Sequence, residues 1–183
     1  LVRSEMMFSG YYKAPEQTAE MFRDGWLVTG DLGELDAEGF LRITGRKKEL
    51  IITSTGKNIA PALIENMIKE HPLISQAMAY GDGKSYLVAL ITLNKAEVET
   101  YANARGISRE DFAALTRCAE IVALVDRIIA DVNARLSSTE SIRRFVILDH
   151  DFSIEADEVT PTMKLKRNTV SARYQDLLEA LYR

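Results

Sequence analysis

Between residues 26 and 53 the apolar positions of this chain fall in short runs cut by glycines, whereas beyond Pro61 most of them recur at three- and four-residue intervals. The first pattern predicts short strands over 26–28, 32–35, 40–44 and 49–53, with Asp36-Ala37-Glu38-Gly39 as the turn of a hairpin. Upstream, Pro15-Glu16-Gln17-Thr18 followed by Ala19, Met21 and Phe22 reads as a short helix with proline in its first turn, broken by Asp24-Gly25. Pro61 starts a helix with Leu63, Ile64, Met67 and Ile68 on one face, ended by His71-Pro72. Apolar strands over 76–80 and 86–93 join through Gly81-Asp82-Gly83-Lys84 as a second hairpin. Asn94 with Glu97 has the spacing of a capping box, which predicts a helix from Lys95 to about Arg105, stopping at Gly106.

From Ser108 a long helical region is expected, with Leu115, Cys118, Val122, Val125, Ile129, Val132 and Leu136 stepping by three and four. That seam fits a coiled-coil contact with a partner or a helix lying on its own domain. About three heptads without a sustained flanking charge pattern favour the second. A strand over 145–148 and a closing helix over 168–182, carrying Tyr174, Leu177, Leu178 and Leu181, complete the predicted order.

With 183 residues, 46% hydrophobic and 27% charged, the chain can bury most of its surface as one domain or one and a half, and the composition excludes disorder. A net charge of -4 provides no general field for nucleic acid, so phosphate binding has to come from local clusters such as Arg46-Lys47-Lys48. The second basic run, Lys164-Leu165-Lys166-Arg167, has no aromatic platform interleaved with it, and no nucleic-acid partner is expected. Cys118 is the single cysteine and cannot form an internal disulfide; the two histidines lack carboxylates at ligand spacing, so no metal site is expected. A reducing, cytoplasmic compartment fits. No apolar run approaches the roughly 20 residues that cross a bilayer, which leaves only a peripheral membrane contact open. The start at Leu1-Val2-Arg3-Ser4-Glu5, without an initiator Met, reads as the start of a piece of something longer.

The chemistry concentrates in two places. Asp31 stands where two short apolar strands meet at glycines, so its carboxylate can present two acceptors to a ligand, and a sugar diol matches it. Thr29-Gly30-Asp31 followed by Gly45-Arg46-Lys47-Lys48 resembles the adenylate-forming superfamily of acyl-CoA synthetases, nonribosomal peptide adenylation domains and luciferases. Gly10-Tyr11-Tyr12 with Pro15-Glu16-Gln17-Thr18 is similar to an element near the end of that superfamily's large N-terminal domain. The resemblance implies an α+β fold. Residues 1–45 are expected to be a β-rich tail of the large domain, and 46–183 a small mobile C-terminal domain whose short, mainly antiparallel sheet is packed by helices. The family's phosphate loop, acyl pocket and metal-binding glutamate are expected upstream, so these residues alone are expected to be inactive.

Residue by residue, the resemblance implies that Asp31 holds the adenosine ribose hydroxyls and that Arg46 contacts the nucleotide near ribose and phosphate; a turn-capping aspartate and a surface ion pair are the plain alternatives. Lys48 falls where the family has its hinge residue, about which the domain swings between an adenylating and a thioester-forming pose. Gly45 replaces the family's usual Asp before the arginine. Gly56 matches the glycine lining the pantetheine tunnel, with an ordinary turn glycine as its alternative. Thr160-Pro161-Thr162-Met163-Lys164 resembles the family's catalytic-lysine loop, with Met163 where most branches have Gly. Lys164 is thereby the expected catalytic lysine, and Lys166 and Arg167 are flanking charges. That departure at Met163, together with the helical insertion over 108–136, resembles the long-chain fatty acid CoA ligase branch. Fatty acid, ATP and CoA are then the expected substrates, Mg2+ accompanies ATP through ligands not present here, and the chain's own N-terminal domain is its expected partner.

Overall fold

The computed structural model describes residues 1–107 and 111–183, so the expected helix start at Ser108 lies outside the described residues. The chain forms two compact units, Leu1–Glu49 and Leu50–Arg183.

In the first unit, α1 (Pro15–Glu20) starts on its proline and is shorter than expected. Phe22, expected on the helix, instead begins a two-residue strand, β1 (Phe22–Arg23), paired with β2 (Trp26–Leu27). Asp24 and Gly25 both take positive φ, 50° and 78°, the conformation of a two-residue hairpin turn. Asp24-Gly25 is thus a hairpin signal as well as a helix stop. From within α1, the Thr18 hydroxyl accepts the Tyr11 N–H at 2.9 Å and donates to the Ala14 carbonyl at 2.8 Å, tying down the chain that leads into the helix. A Cβ on Gly10 would stand 2.7 Å from Thr18 Cγ2, which explains the Gly…Thr spacing. The expected hairpin is present as β3 (Asp31–Leu35) and β4 (Leu41–Arg46), with a bulge after Leu32. A single 3-10 turn, Lys47–Glu49, follows where the start of a strand was expected.

The second unit opens with β5 (Ile51–Ile52) paired to a short strand that the sequence did not announce, β6 (Asn58–Ile59). Then come α2 (Pro61–Lys69), β7 (Ile74–Tyr80), β8 (Leu87–Leu93), α3 (Lys95–Ala104), α4 (Phe112–Thr116), α5 (Ala119–Asn133), β9 (Ile142–Ile147), α6 (Arg167–Arg173) and α7 (Gln175–Ala180). The sheet order is β7-β8-β9; β7 runs antiparallel and β9 parallel to the central β8. All seven residues of β8 are buried, as expected of a central strand covered on both faces. Ala89, Ile91 and Leu93 join one cluster with Ile64, Ile68, Val98, Ile121 and Val125, while Met78, Val88 and Leu90 join another with Phe152, Val159, Val170 and Leu178. Burying a Leu, Ile or Val side chain contributes about 1.5–3 kcal/mol, so this strand carries much of the unit's stability.

The helical seam is a domain-packing face. Leu115, Cys118, Val125, Ile129 and Val132 are all buried within the unit. Val122 is 38% exposed, because Cys118 takes an extended backbone and caps a new helix, which brings Ile121 and Ile128 inward instead. Asn94 caps α3 by accepting the Ala96 and Glu97 N–H groups. The closing helix breaks at Tyr174, whose hydroxyl is held by Glu158.

Candidate functional site

Thr29 and the β3–β4 pairing set the first cluster. The Asp31 N–H donates to the Thr29 hydroxyl at 3.1 Å, and the Lys47 N–H donates to the Gly30 carbonyl at 2.8 Å. Asp31 lies opposite Arg46 in the ladder, and Arg46 Nε reaches Asp31 Oδ1 at 3.0 Å. The two residues mapped to the nucleotide are therefore neighbours, carboxylate beside guanidinium on an exposed strand end. Their pairing also satisfies the plain surface-ion-pair alternative. Such an exposed pair contributes about 0–1 kcal/mol, so stability alone gives little reason for it.

Lys48 is exposed within the 3-10 turn, one residue before the boundary between the two units. Gly56 sits at φ +76° in the turn between β5 and β6, closed by its N–H donating to the Thr53 carbonyl at 2.9 Å. A Cβ there would meet nothing within 4 Å. Within this unit the glycine is required by its left-handed backbone rather than by crowding.

The second cluster is the loop around Lys164. The Lys164 carbonyl accepts the Thr160 N–H at 2.8 Å, the Lys164 N–H donates to Thr160 Oγ1 at 3.0 Å, and the Met163 N–H donates to the Thr160 carbonyl at 2.8 Å. Val159 and Leu165 bridge its base. Met163 takes φ +60°, a conformation that favours glycine, at the position where most branches of the resembling family have Gly. The three cations of the run differ in their surroundings. Lys166 pairs with Asp157. Arg167 donates to both Glu65 oxygens, at 2.8 and 2.9 Å, and to the Ala79 carbonyl at 2.9 Å. Lys164 is exposed and its ammonium has no ion-pair partner among the described residues. Arg167 thus flanks Lys164 as expected, and its bonds to Glu65 and Ala79 make it a structural anchor as well.

Two buried carboxylates outside the sequence-based site hold this loop. Glu65 lies on α2 and accepts the Ala79 N–H at 2.7 Å as well as the Arg167 guanidinium. Burial pushes its carboxyl up; the charge and hydrogen bonds of Arg167, the Ala79 N–H and Lys69 oppose this without cancelling it. Glu158 is fully buried and accepts from Tyr174 at 2.7 Å, Arg173 at 2.9 Å and the Ser153 N–H at 3.1 Å, while its carbonyl accepts the Lys166 N–H at 2.8 Å. Burial raises its carboxyl too, but here the hydrogen bonds from Tyr174, Ser153 and Arg173, with the Arg173 charge, together win and hold it below the ordinary glutamate value. A lowered folded-state value contributes stability above the unfolded value near 4.5, and that contribution is lost as pH falls through the lower folded value. Glu158→Gln is accordingly expected to show a shallower loss of stability below pH 4.5 than the wild type, measured by urea unfolding across pH. Parallel acid limbs would remove Glu158 from the account. Among the described residues no group of three or more His, Cys, Asp or Glu side chains stands together as a metal cage. No described helix is long and apolar enough to cross a membrane.

A family model described as the AMP-binding enzyme C-terminal domain matches residues 48–183. The chain belongs to this family. It is 44% identical, over its whole length, to a long-chain-fatty-acid–CoA ligase of Mycobacterium tuberculosis, of which it spans 30%. Among solved structures it is similar to the adenylation domain of a carboxylate reductase from Mycobacterium chelonae, with TM-score 0.78, 30% identity, and 98% of this chain against 27% of that one. It is also similar to the A-PCP didomain of a carboxylic acid reductase from Segniliparus rugosus in complex with AMP, with TM-score 0.73, 30% identity, and 98% of this chain against 24% of that one. The mixed fold of small, mainly antiparallel sheets and helices matches that of these adenylation domains.

Proposed function

We propose that residues 1–45 are the ribose-side tail, and residues 46–183 the mobile lid, of a cytoplasmic ATP-dependent, AMP-forming long-chain fatty acid CoA ligase. The observation that carries this reading is the Lys164 loop: its neighbours Lys166 and Arg167 are paired, whereas Lys164 is left exposed without an ion-pair partner among the described residues. In the reaction, a fatty acid carboxylate oxygen attacks the α-phosphorus of ATP, displacing pyrophosphate and leaving an acyl-adenylate. The CoA thiolate then attacks the acyl carbon, and AMP leaves with the bonding electrons. Lys164 stabilises the negative charge that gathers between carboxylate and α-phosphate. Asp31 accepts from the ribose hydroxyls, Arg46 contacts the nucleotide, and Gly56 borders the path of the thiol arm. Magnesium enters with ATP as part of the substrate.

The long-chain assignment is supported by the mycobacterial relative at 44% identity. The structural likeness to reductase adenylation domains supports a second reading, a different acyl class or an acceptor other than free CoA. Full-length protein given ATP, CoA and acids of graded chain length is expected to form AMP and acyl-CoA fastest with long-chain acids. A maximum at acetate or an aryl acid, or no thioester with free CoA, excludes the first reading.

Lys48 provides a separate test. A 3-10 turn has φ near −50 to −70°, which proline accommodates, so Lys48→Pro can hold this turn while forbidding other angles. In the full-length enzyme it is expected to impair one half-reaction, pyrophosphate exchange or thioester formation from supplied acyl-adenylate, far more than the other. Equal loss of both argues against a hinge.

A further inference from the structure

From the way α2, β7 and the loop after Lys164 meet, we infer that Glu65 and Arg167 act as positioning residues that aim Lys164; this rests on the catalytic reading of Lys164 given above. β7 is the edge of the three-stranded sheet, so among the described residues one side of its backbone lacks a strand partner. At Ala79 that side is satisfied by side chains. Its N–H donates to Glu65 at 2.7 Å and its carbonyl accepts from Arg167 at 2.9 Å, while Arg167 grips both carboxylate oxygens of Glu65. The pair thus stands where a neighbouring strand would, and Arg167 is three residues from Lys164.

The geometry gives Arg167 little freedom. Three donor contacts from a planar guanidinium fix both its place and its orientation, which a lysine could not do. On the other side of the loop, Glu158 accepts the Lys166 N–H through its carbonyl and is itself held by three donors. Between these anchors the loop from Thr160 to Lys164 closes on its own hydrogen bonds. The tip carrying Lys164 is therefore tied to the sheet through Arg167. Errors of about 1 Å in placing a catalytic group cost on the order of a hundredfold in rate, so a pin of this kind bears directly on adenylation.

Glu65→Gln keeps the size of the side chain and loses the second acceptor for Arg167. In the full-length enzyme it is expected to slow pyrophosphate exchange tenfold or more while thioester formation from supplied acyl-adenylate stays within a fewfold. In a Lys164→Ala background the same substitution is expected to change exchange by less than twofold, because its effect passes through Lys164. Glu65→Met/Arg167→Met, which replaces the charges by packing, is expected to keep the melting temperature better than either single change and still to lose exchange. Amide hydrogen exchange reads the loop without reference to catalysis: the Met163 and Lys164 N–H groups are expected to exchange about tenfold faster in Glu65→Gln. Equal losses in both half-reactions, equal losses with and without Lys164, or unchanged amide protection overturn the positioning role. Faster amide exchange in a protein where Lys164→Ala leaves pyrophosphate exchange intact supports the pin and overturns the catalytic reading on which its consequence rests.

Discussion

Lys164→Ala in the full-length enzyme is expected to slow fatty-acid-dependent pyrophosphate exchange by about a hundred- to a thousandfold, roughly 3–4 kcal/mol of transition-state stabilisation. The magnitude is that of one preorganised charge contact made where negative charge develops. Alanine removes the ammonium without touching the loop, because Lys164 contributes only its backbone N–H and carbonyl to the closing hydrogen bonds with Thr160. Lys166→Ala is the matched control. It deletes the same charge two residues away, but that charge is engaged with Asp157 in a pair whose side chains are 37% and 66% exposed. Losing such a pair costs about 0–1 kcal/mol of stability, and exchange is expected to stay within a fewfold of wild type. If Lys166 proves the sensitive residue, the register of the loop is wrong.

Arg167→Met is expected to lower the unfolding free energy by about 3–5 kcal/mol, the range for removing one partner of a buried ion pair. The Glu65 side chain it abandons is only 10% exposed, and the Ala79 carbonyl loses its side-chain donor. The lower half of the range is expected, since the arginine side chain is 23% exposed and burial already favours a protonated Glu65. Arg42→Ala gives the contrast: its pair with Glu34 spans 3.9 Å between side chains 69% and 63% exposed, and its loss is expected to cost no more than about 0.5 kcal/mol. Urea unfolding measures both. Comparable small losses would show Arg167 to be a solvated charge after all.

Most elements were legible because their signals are local. Pro61, Asn94 and the Gly81–Lys84 turn specify α2, α3 and the β7–β8 hairpin through fixed φ, a capping side chain and a tight turn. The breaks at Cys118 and Tyr174 were not legible, since neither carries a proline or glycine and the apolar spacing runs through both. Tyr174 is held from outside its own helices, by Glu158. Of the candidate site, the β3–β4 hairpin was legible in its turn, but the pairing of Asp31 with Arg46 was not, since both lie outside the strands expected over 32–35 and 40–44; the Lys164 loop was expected from its resemblance to a family motif. Glu65 left little signal, because it lies off the expected face of Leu63, Ile64, Met67 and Ile68; the helix instead buries Pro61, Ile64, Glu65 and Ile68, which leaves this carboxylate in need of a buried partner. Glu158 left none. It follows Glu155 and Asp157 in a run that reads as solvated acids, and only the tertiary fold brings Arg173 and Tyr174 to it.

On the function proposed above, Lys164 serves adenylation alone, while the lid as a whole serves both half-reactions. The most direct test supplies synthetic acyl-adenylate and CoA to full-length Lys164→Ala and follows thioester formation. A rate within a fewfold of wild type is expected, in a protein whose pyrophosphate exchange has fallen at least about a hundredfold. A thioester rate that falls in parallel with exchange would contradict it.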